Sequence, residues 1–251
     1  MRTTKRKGNG WILYEGPSQL DGTEIVAIAT GSRVTSKNRK TGPMLQTWML
    51  NANVHPHEAI IRRLDTCVCG DCGFKLDDEG NRICYVKPMP LGQIYNQYRD
   101  GRYPITPNYS QGLNARIGSY GDPTAVPIKV WLNLIANVPA ATGYTRQWQQ
   151  QQFQDFRHFC MASCFNDEES QYARALGWKA YTIRPVAQPS KPLNLTEDPS
   201  NAQRPSLVKE VDCPAAKLPN QITCNSCKLC DGQKTNVSVV VHGIGKKTFL
   251  I

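Results

Sequence analysis

The chain is 251 residues long, 40% hydrophobic and 20% charged, with a formal net charge of +10. That length allows one full-sized core or two small ones. No stretch approaches the run of about 18 apolar residues that a transmembrane helix needs, and the basic start Met-Arg-Thr-Thr-Lys-Arg-Lys-Gly lacks the apolar segment of a signal peptide.

The predicted elements run as follows. Residues 1–43 read as a basic entry segment: Arg2, Lys5, Arg6, Lys7, Arg33, Lys37, Arg39 and Lys40 outnumber Glu15, Asp21 and Glu24. Such a surface suits a polyanion such as nucleic acid; a solvated tail that keeps the chain soluble fits the same charge. Within the segment, Ile25 to Thr30 is a short apolar run with strand character. From residue 44 to 251 the pattern predicts one α/β domain. Met44 to Leu50 alternates as a strand. His55 and His57 stand at the start of a short helix over Ala59–Leu64, where no third ligand completes a histidine metal site. Leu91, Ile94, Tyr95 and Tyr98 recur at helical spacing. A strand follows from Asn114 and ends in the turn Gly121-Asp122-Pro123. Pro127 to Val138 predicts a helix with Ile128, Trp131, Leu132 and Ile135 on one side.

Thr142 to Trp148 reads as a strand end entering a loop, and a short glutamine run, Gln149 to Gln152, follows it. Arg157 to Ser163 is expected as a strand. Asp167 to Leu176 predicts a helix with acids at its N-terminus and Gly177 past its end, and Trp178 to Arg184 a strand. Residues 185–206, rich in Pro, Ser, Asn and Gln, read as a long loop. Leu207–Asp212 and the β-branched run Val237–Gly243 suit two further strands, and His242 reads as a structural residue at a strand end. Repeated strand–helix units predict a parallel sheet covered by helices, in the form of a partial (β/α)6 barrel-like sheet or an open doubly wound one. Several motifs then fall on the rim formed by the loops that follow the strands.

The strongest chemical signal is cysteine. Cys213-Pro is followed by Cys224-x-x-Cys227-x-x-Cys230, and Cys67-x-Cys69-x-x-Cys72 by Cys84; these two sets account for eight of ten cysteines. A Cys-x-x-Cys knuckle turns its sulfurs toward one centre, and glycines after Cys69 and Cys72 provide the positive φ that a tight loop needs. Four thiolates satisfy a zinc ion or a four-iron cluster equally well. The spacing marks cytosolic metal loops, not a secreted disulfide frame. Cys160 and Cys164 fall on one face and read as small buried hydrophobes. Asp122 serves either as a turn residue or as a ligand-binding carboxylate. Tyr144, Arg146 and Trp148 are candidates for stacking on a nucleobase or adenine. The sequence contains no Ser-His-Asp arrangement, Walker loop or Gly-x-Gly-x-x-Gly.

Six stretches carry a resemblance: Asn38-Arg-Lys-Thr-Gly-Pro43, Cys69-x-x-Cys72 with Cys84-Tyr85, Gly118-Ser-Tyr-Gly-Asp-Pro123, Gly143-Tyr-Thr-Arg-Gln-Trp148, Cys213-Pro-Ala and Cys224-x-x-Cys227-x-Leu-Cys230. Over most of the span from Asn38 to Gly243 the chain resembles a cysteine-rich family of phage and prophage proteins, itself similar to radical S-adenosylmethionine enzymes. The resemblance implies a partial (β/α)6 barrel, a [4Fe–4S] cluster with one open iron for S-adenosylmethionine, Gly121-Asp122 at the turn that binds its amino group, and an auxiliary cluster on the C-terminal cysteines. It also implies a host cytoplasmic location. The enzymes' usual Cys-x-x-x-Cys-x-x-Cys is replaced here by gaps of one, two and eleven residues. Cys69, Cys72 and Cys84 would form a three-thiol set with Cys67 spare, whereas ligation by all four would close the site. Zinc with a nucleic-acid-binding role remains the alternative to iron–sulfur chemistry.

Overall fold

The computed structural model describes residues 7–36, 38–109, 111–185 and 210–241. Arg2, Lys5, Arg6, Lys37, the loop residues 186–206, Leu207–Lys209, His242 and Gly243 lie outside the described residues. The fold is mixed α/β with parallel pairing dominant. Two β-branched and aromatic strands open it, β1 (Gly10–Pro17) and β2 (Glu24–Thr30), followed by β3 (Leu45–Asn51). β1 pairs antiparallel with β2, and β2 with β3. Residues 10–30 are therefore built into the sheet: Trp11, Ile25 and Ile28 are fully buried. The sequence signal missed β1, where the apolar run Trp11–Tyr14 lies between Gly10 and Gly16.

After β3 come α1 (Pro56–Ile61), α2 (Thr66–Cys69) and α3 (Pro88–Arg99). His55 caps α1, its Nδ1 accepting from the His57 N–H. β4 (Ala115–Tyr120) pairs parallel with β3. Helix α4 (Ile128–Ala136) buries Trp131 and Leu134, while Leu132 is 51% exposed. The expected apolar face was wrong by that residue, because an almost wholly apolar helix carries no polar face to fix its rotation.

The strand over Thr142–Thr145 divides into β5 (Ala141–Thr142) and β6 (Tyr144–Thr145), separated only by Gly143. β5 closes the first sheet, ordered β1-β2-β3-β4-β5, and β6 opens the second, ordered β6-β7-β8-β10-β9. All pairings of the second sheet are parallel. Residues 147–158 wind into 3₁₀ turns, and β7 begins only at Met161 (Met161–Cys164). The strand expected from Arg157 starts late because Phe153, Phe156 and Phe159 recur every third residue, the period that stacks side chains on a 3₁₀ helix; all three are buried. Then follow α5 (Asp167–Ala175), β8 (Ala180–Arg184), β9 (Glu210–Asp212), α6 (Pro214–Lys217), α7 (Cys224–Cys227) and β10 (Asn236–Val240). Asn166 caps α5 by accepting the Glu169 N–H at 2.8 Å.

One large core, including Trp131, Trp148 and Trp178, packs the helices on the sheets, and a smaller cluster gathers Ile183, Val237 and Val239 on the other face. Among the described residues no helix is long and apolar enough to cross a membrane.

Candidate functional site

A cavity of about 560 Å3 lies against the sheet face opposite the main core. Its wall comes from one face of successive strands: Gln46 and Trp48 of β3, Arg116 and Tyr120 of β4, Thr142 of β5, Tyr144 of β6, Ser163 of β7, Tyr181 and Ile183 of β8, and Val237 and Val239 of β10. The two-residue period along β8 and β10 is that of a strand with one face on the cavity. The rim is built from the segments that follow β3, β4, β6 and β9, together with Asn38, Lys40 and Thr41 from the loop that leads into β3.

Seven of the eight cysteines in the two sets line this cavity: Cys69, Cys72 and Cys84 from the segment after β3, and Cys213, Cys224, Cys227 and Cys230 from the connection between β9 and β10. Cys67 does not. Its thiol donates to the Leu64 carbonyl at 3.2 Å and lies 3.7 Å from Asn51 Nδ2, and the residue is 1% exposed. Cys160 and Cys164 are buried in the main core, as small hydrophobes are. Burial drives the thiols toward their neutral form: Cys72 is pushed up to about 11 and Cys230 to about 12, while Cys84 and Cys224 are raised, all with desolvation as the leading cause. Neighbouring sulfurs add to the effect, with Cys69 sensing Cys72 and Cys84, and Cys230 sensing Cys213, Cys224 and Cys227. Among the described residues no three His, Cys, Asp or Glu side chains already converge on a point that could hold a single metal ion. The sulfurs thus form two groups, each felt electrostatically by its own members.

Local sequence explains how each group is held. Gly70 ends α2 at φ 57, and a methyl there would lie 2.3 Å from Gln147 Nε2, which donates to Asp71 at 2.6 Å. The first cysteine loop is in this way tied to the loop after β6. At the other set, Thr223-Cys-Asn-Ser226 forms a capping box: Thr223 Oγ1 accepts the Ser226 N–H at 3.2 Å, and Ser226 Oγ accepts the Thr223 N–H at 3.0 Å. The Cys224 and Asn225 N–H groups donate to the carbonyls of Lys40 and Thr41 at 2.8 and 2.9 Å. Asn38–Gly42, whose motif stood out in the sequence, is thus the clamp on this knuckle. The Gly143 N–H donates to the Cys230 carbonyl at 3.1 Å, so the knuckle also seats on the seam between the sheets.

Gly121 and Asp122 sit at the end of β4. Gly121 has φ 85, and a methyl on it would lie 2.8 Å from Met49 Cβ. Asp122 lines the cavity, yet its carboxylate is committed to the protein. Oδ1 accepts from the Thr124 N–H (3.0 Å), Thr124 Oγ1 (2.8 Å) and Thr145 Oγ1 (2.8 Å), and Oδ2 accepts from the Arg146 N–H (2.7 Å). Burial raises its pKa above the usual carboxylate value in spite of these donors. Asp122 is thereby a strut joining the ends of β4 and β6. Asp122→Ala is expected to cost about 3 kcal/mol or more, because the donors it satisfies are left buried without an acceptor; a urea unfolding midpoint measures it.

The stacking trio divides. Tyr144 lines the cavity, its ring centroid 4.4 Å from that of Tyr181. Arg146 also lines it, but its guanidinium pairs with Glu169 at 2.6 Å and lies 3.8 Å over the Phe165 ring. That face is unavailable to a base. Burial alone would raise Glu169, but Arg146 and the Phe165 N–H outweigh it and hold the carboxyl below its usual range. Trp148 is 0% exposed, donates to the Ser163 carbonyl at 3.2 Å and packs edge-on against Tyr172. It belongs to the core, and the expectation that it stacks on a ligand is corrected: its aromatic surface is consumed by packing.

Sequence reading passed over Arg116, a cation in a buried strand and 9% exposed. The signal was Gly118 two residues on, at φ 73, where β4 bulges: Gln46 pairs Arg116 but Trp48 pairs Tyr120.

No protein-family model matches the chain, and neither does any curated protein or solved structure.

Proposed function

We propose that this is an iron–sulfur protein of the radical S-adenosylmethionine type, with a three-thiol cluster on Cys69, Cys72 and Cys84 and an auxiliary cluster on Cys213, Cys224, Cys227 and Cys230. The observation that carries the reading is that both thiol groups open onto one cavity, three in one and four in the other, with Cys67 turned away. Structural zinc knuckles have no reason to share a ligand-sized space. Zinc and a four-iron cluster both accept thiolates, and a group of three thiols is the set that a cluster with an open position takes. Three ligands leave one iron open. The arc of parallel strands around the cavity supports a partial (β/α)6 barrel, in which ligands sit at the C-terminal ends of the strands. The sequence resemblance to the phage and prophage family supports the same reading, with a cytoplasmic location in the host.

When bound, the open cluster supplies the electron for reductive cleavage of S-adenosylmethionine. The chain's own residues do the rest. Gly121, lacking a side chain, lets ligand and backbone approach at the end of β4. Asp122 and the Arg146–Glu169 pair hold that rim rigid. The apolar floor of Val237 and Val239 excludes water, which strengthens every polar contact above it.

Metal and acid-labile sulfide content of anaerobically purified protein, with its visible spectrum, tests the reading. Iron and sulfide near two cubes per chain, followed by cluster-dependent cleavage of S-adenosylmethionine, is the expected result. Zinc without sulfide overturns it and turns the search toward nucleic acid, for which the basic composition is the supporting observation.

A further inference from the structure

We propose that Arg116 is the anion-binding residue of the cavity, and that the molecule processed there carries an oxyanion, carboxylate or phosphate. Arg116 lies mid-wall on β4, 9% exposed, with its side chain among those lining the cavity. Its Nη2 donates to Tyr85 Oη at 2.6 Å, and the guanidinium carbon stands 5.9 Å from the Tyr144 ring centroid. No carboxylate among the described residues pairs with it. A guanidinium has five N–H donors in a flat fork that matches the two oxygens of a carboxylate or phosphate. Burying that charge beside phenols without an acid is costly, and an entering anion removes the cost.

The rest of the lining agrees. It carries five cationic side chains, Lys40, Lys87, Arg116, Arg146 and Lys228, against one carboxylate, Asp122. Arg146 is neutralised by Glu169, and Asp122 is saturated by its own donors. Leaving the thiols aside, Arg116 is thus the buried cation of the lining whose fork is offered to a ligand with negative charge. Tyr85 follows Cys84 directly, and the rings of Tyr144 and Tyr181, tilted 46° to each other, pack together on the wall that carries Arg116. An anion held here sits between the two thiol groups, where a molecule worked on by either would have to lie.

This deepens the functional reading and rests on it for the word "processed"; the binding itself does not require a cluster. The test uses full-length protein as purified anaerobically, titrated calorimetrically with inorganic phosphate and with acetate, in the presence and absence of saturating S-adenosylmethionine. Binding of at least one anion is expected, weakened about tenfold or more in Arg116→Gln, and retained when S-adenosylmethionine is bound. Tyr85→Phe, which keeps the charge, is expected to weaken it less. Should Arg116→Gln fail to fold by circular dichroism, Arg116→Lys replaces it: the fork is lost and severalfold weakening is expected. Anion binding unchanged in the folded variant overturns the proposal, as does displacement of the anion by S-adenosylmethionine, which would give Arg116 to that cofactor's own carboxylate. Absence of iron and sulfide, with anion binding still dependent on Arg116, sinks the cluster reading and leaves this one standing.

Discussion

Cys72→Ala is expected to remove roughly half of the iron and sulfide and to abolish cleavage of S-adenosylmethionine, whereas Cys67→Ala leaves both intact. The two residues belong to the same short sequence cluster, and spacing alone cannot rank them. Their surroundings do. Cys72 lines the cavity within the field of Cys84. Cys67 points the other way, donates to the Leu64 carbonyl and is 1% exposed. Losing one of three thiolates leaves two protein ligands, too few to hold a cube. Losing the Cys67 sulfur removes a small buried group and its weak contacts, a stability cost of about 1–2 kcal/mol. Iron content by mass spectrometry, with sulfide assay, reads the first effect, and thermal unfolding of the apoprotein reads the second. Equal iron loss in both variants would mean a closed four-thiol site and would remove the catalytic reading.

The second large effect is expected at Gly232. This residue follows Cys230 by two positions and has φ 77. A methyl there would lie 2.7 Å from the carbonyl oxygens of both Arg157 and Cys160. These are backbone atoms of the 3₁₀ turn and of the residue before β7, so they cannot swing aside as a long side chain would. Gly232→Ala combines the left-handed penalty of about 1–2 kcal/mol with overpacking of about 1–3 kcal/mol. A loss near 3 kcal/mol lowers the melting temperature of a chain this size by roughly 6–12 °C. The knuckle carrying Cys230 should shift with it, so iron at the C-terminal site is expected to fall as well. Gly177→Ala is the control: φ is 84, but nothing lies within 4 Å of the added methyl. It should show the conformational penalty alone. Equal melting temperatures for the two variants would remove the clash argument.

Both predictions depend on contacts between residues far apart in the chain, and the division between legible and illegible features follows that line. The alternation in Met44–Leu50 and the β-branched run from Val237 marked β3 and β10, because successive strand residues point to opposite faces and buried strands are rich in β-branched residues. The acids from Asp167 marked the start of α5 and Gly177 its end, since the helix dipole and the C-cap are local effects. The grouping of cysteines by spacing was local too. By contrast, β1 is stabilised almost wholly by its partner β2, and its own residues announce little. Trp148 looked like a stacking residue because exposure is not written in a tetrapeptide; packing beneath Tyr172 decided it.

The amino-acid sequence by itself determined the α/β class, the two thiol sets and the positive φ at Gly70, because each is a matter of local period, spacing or backbone sterics; Gly73, expected to share that conformation, does not adopt it. The tertiary structure alone decided that both sets face one cavity, that Cys67 leaves its group, that Asp122 is spent on Thr124, Thr145 and Arg146, and that Arg116 stands mid-wall without an acid. Those facts arise from which strands lie side by side. Parallel pairing aligns β3 to β5 in one sheet and β6 to β10 in the other, the two meet at Gly143, and no local rule of propensity or spacing encodes that neighbourhood.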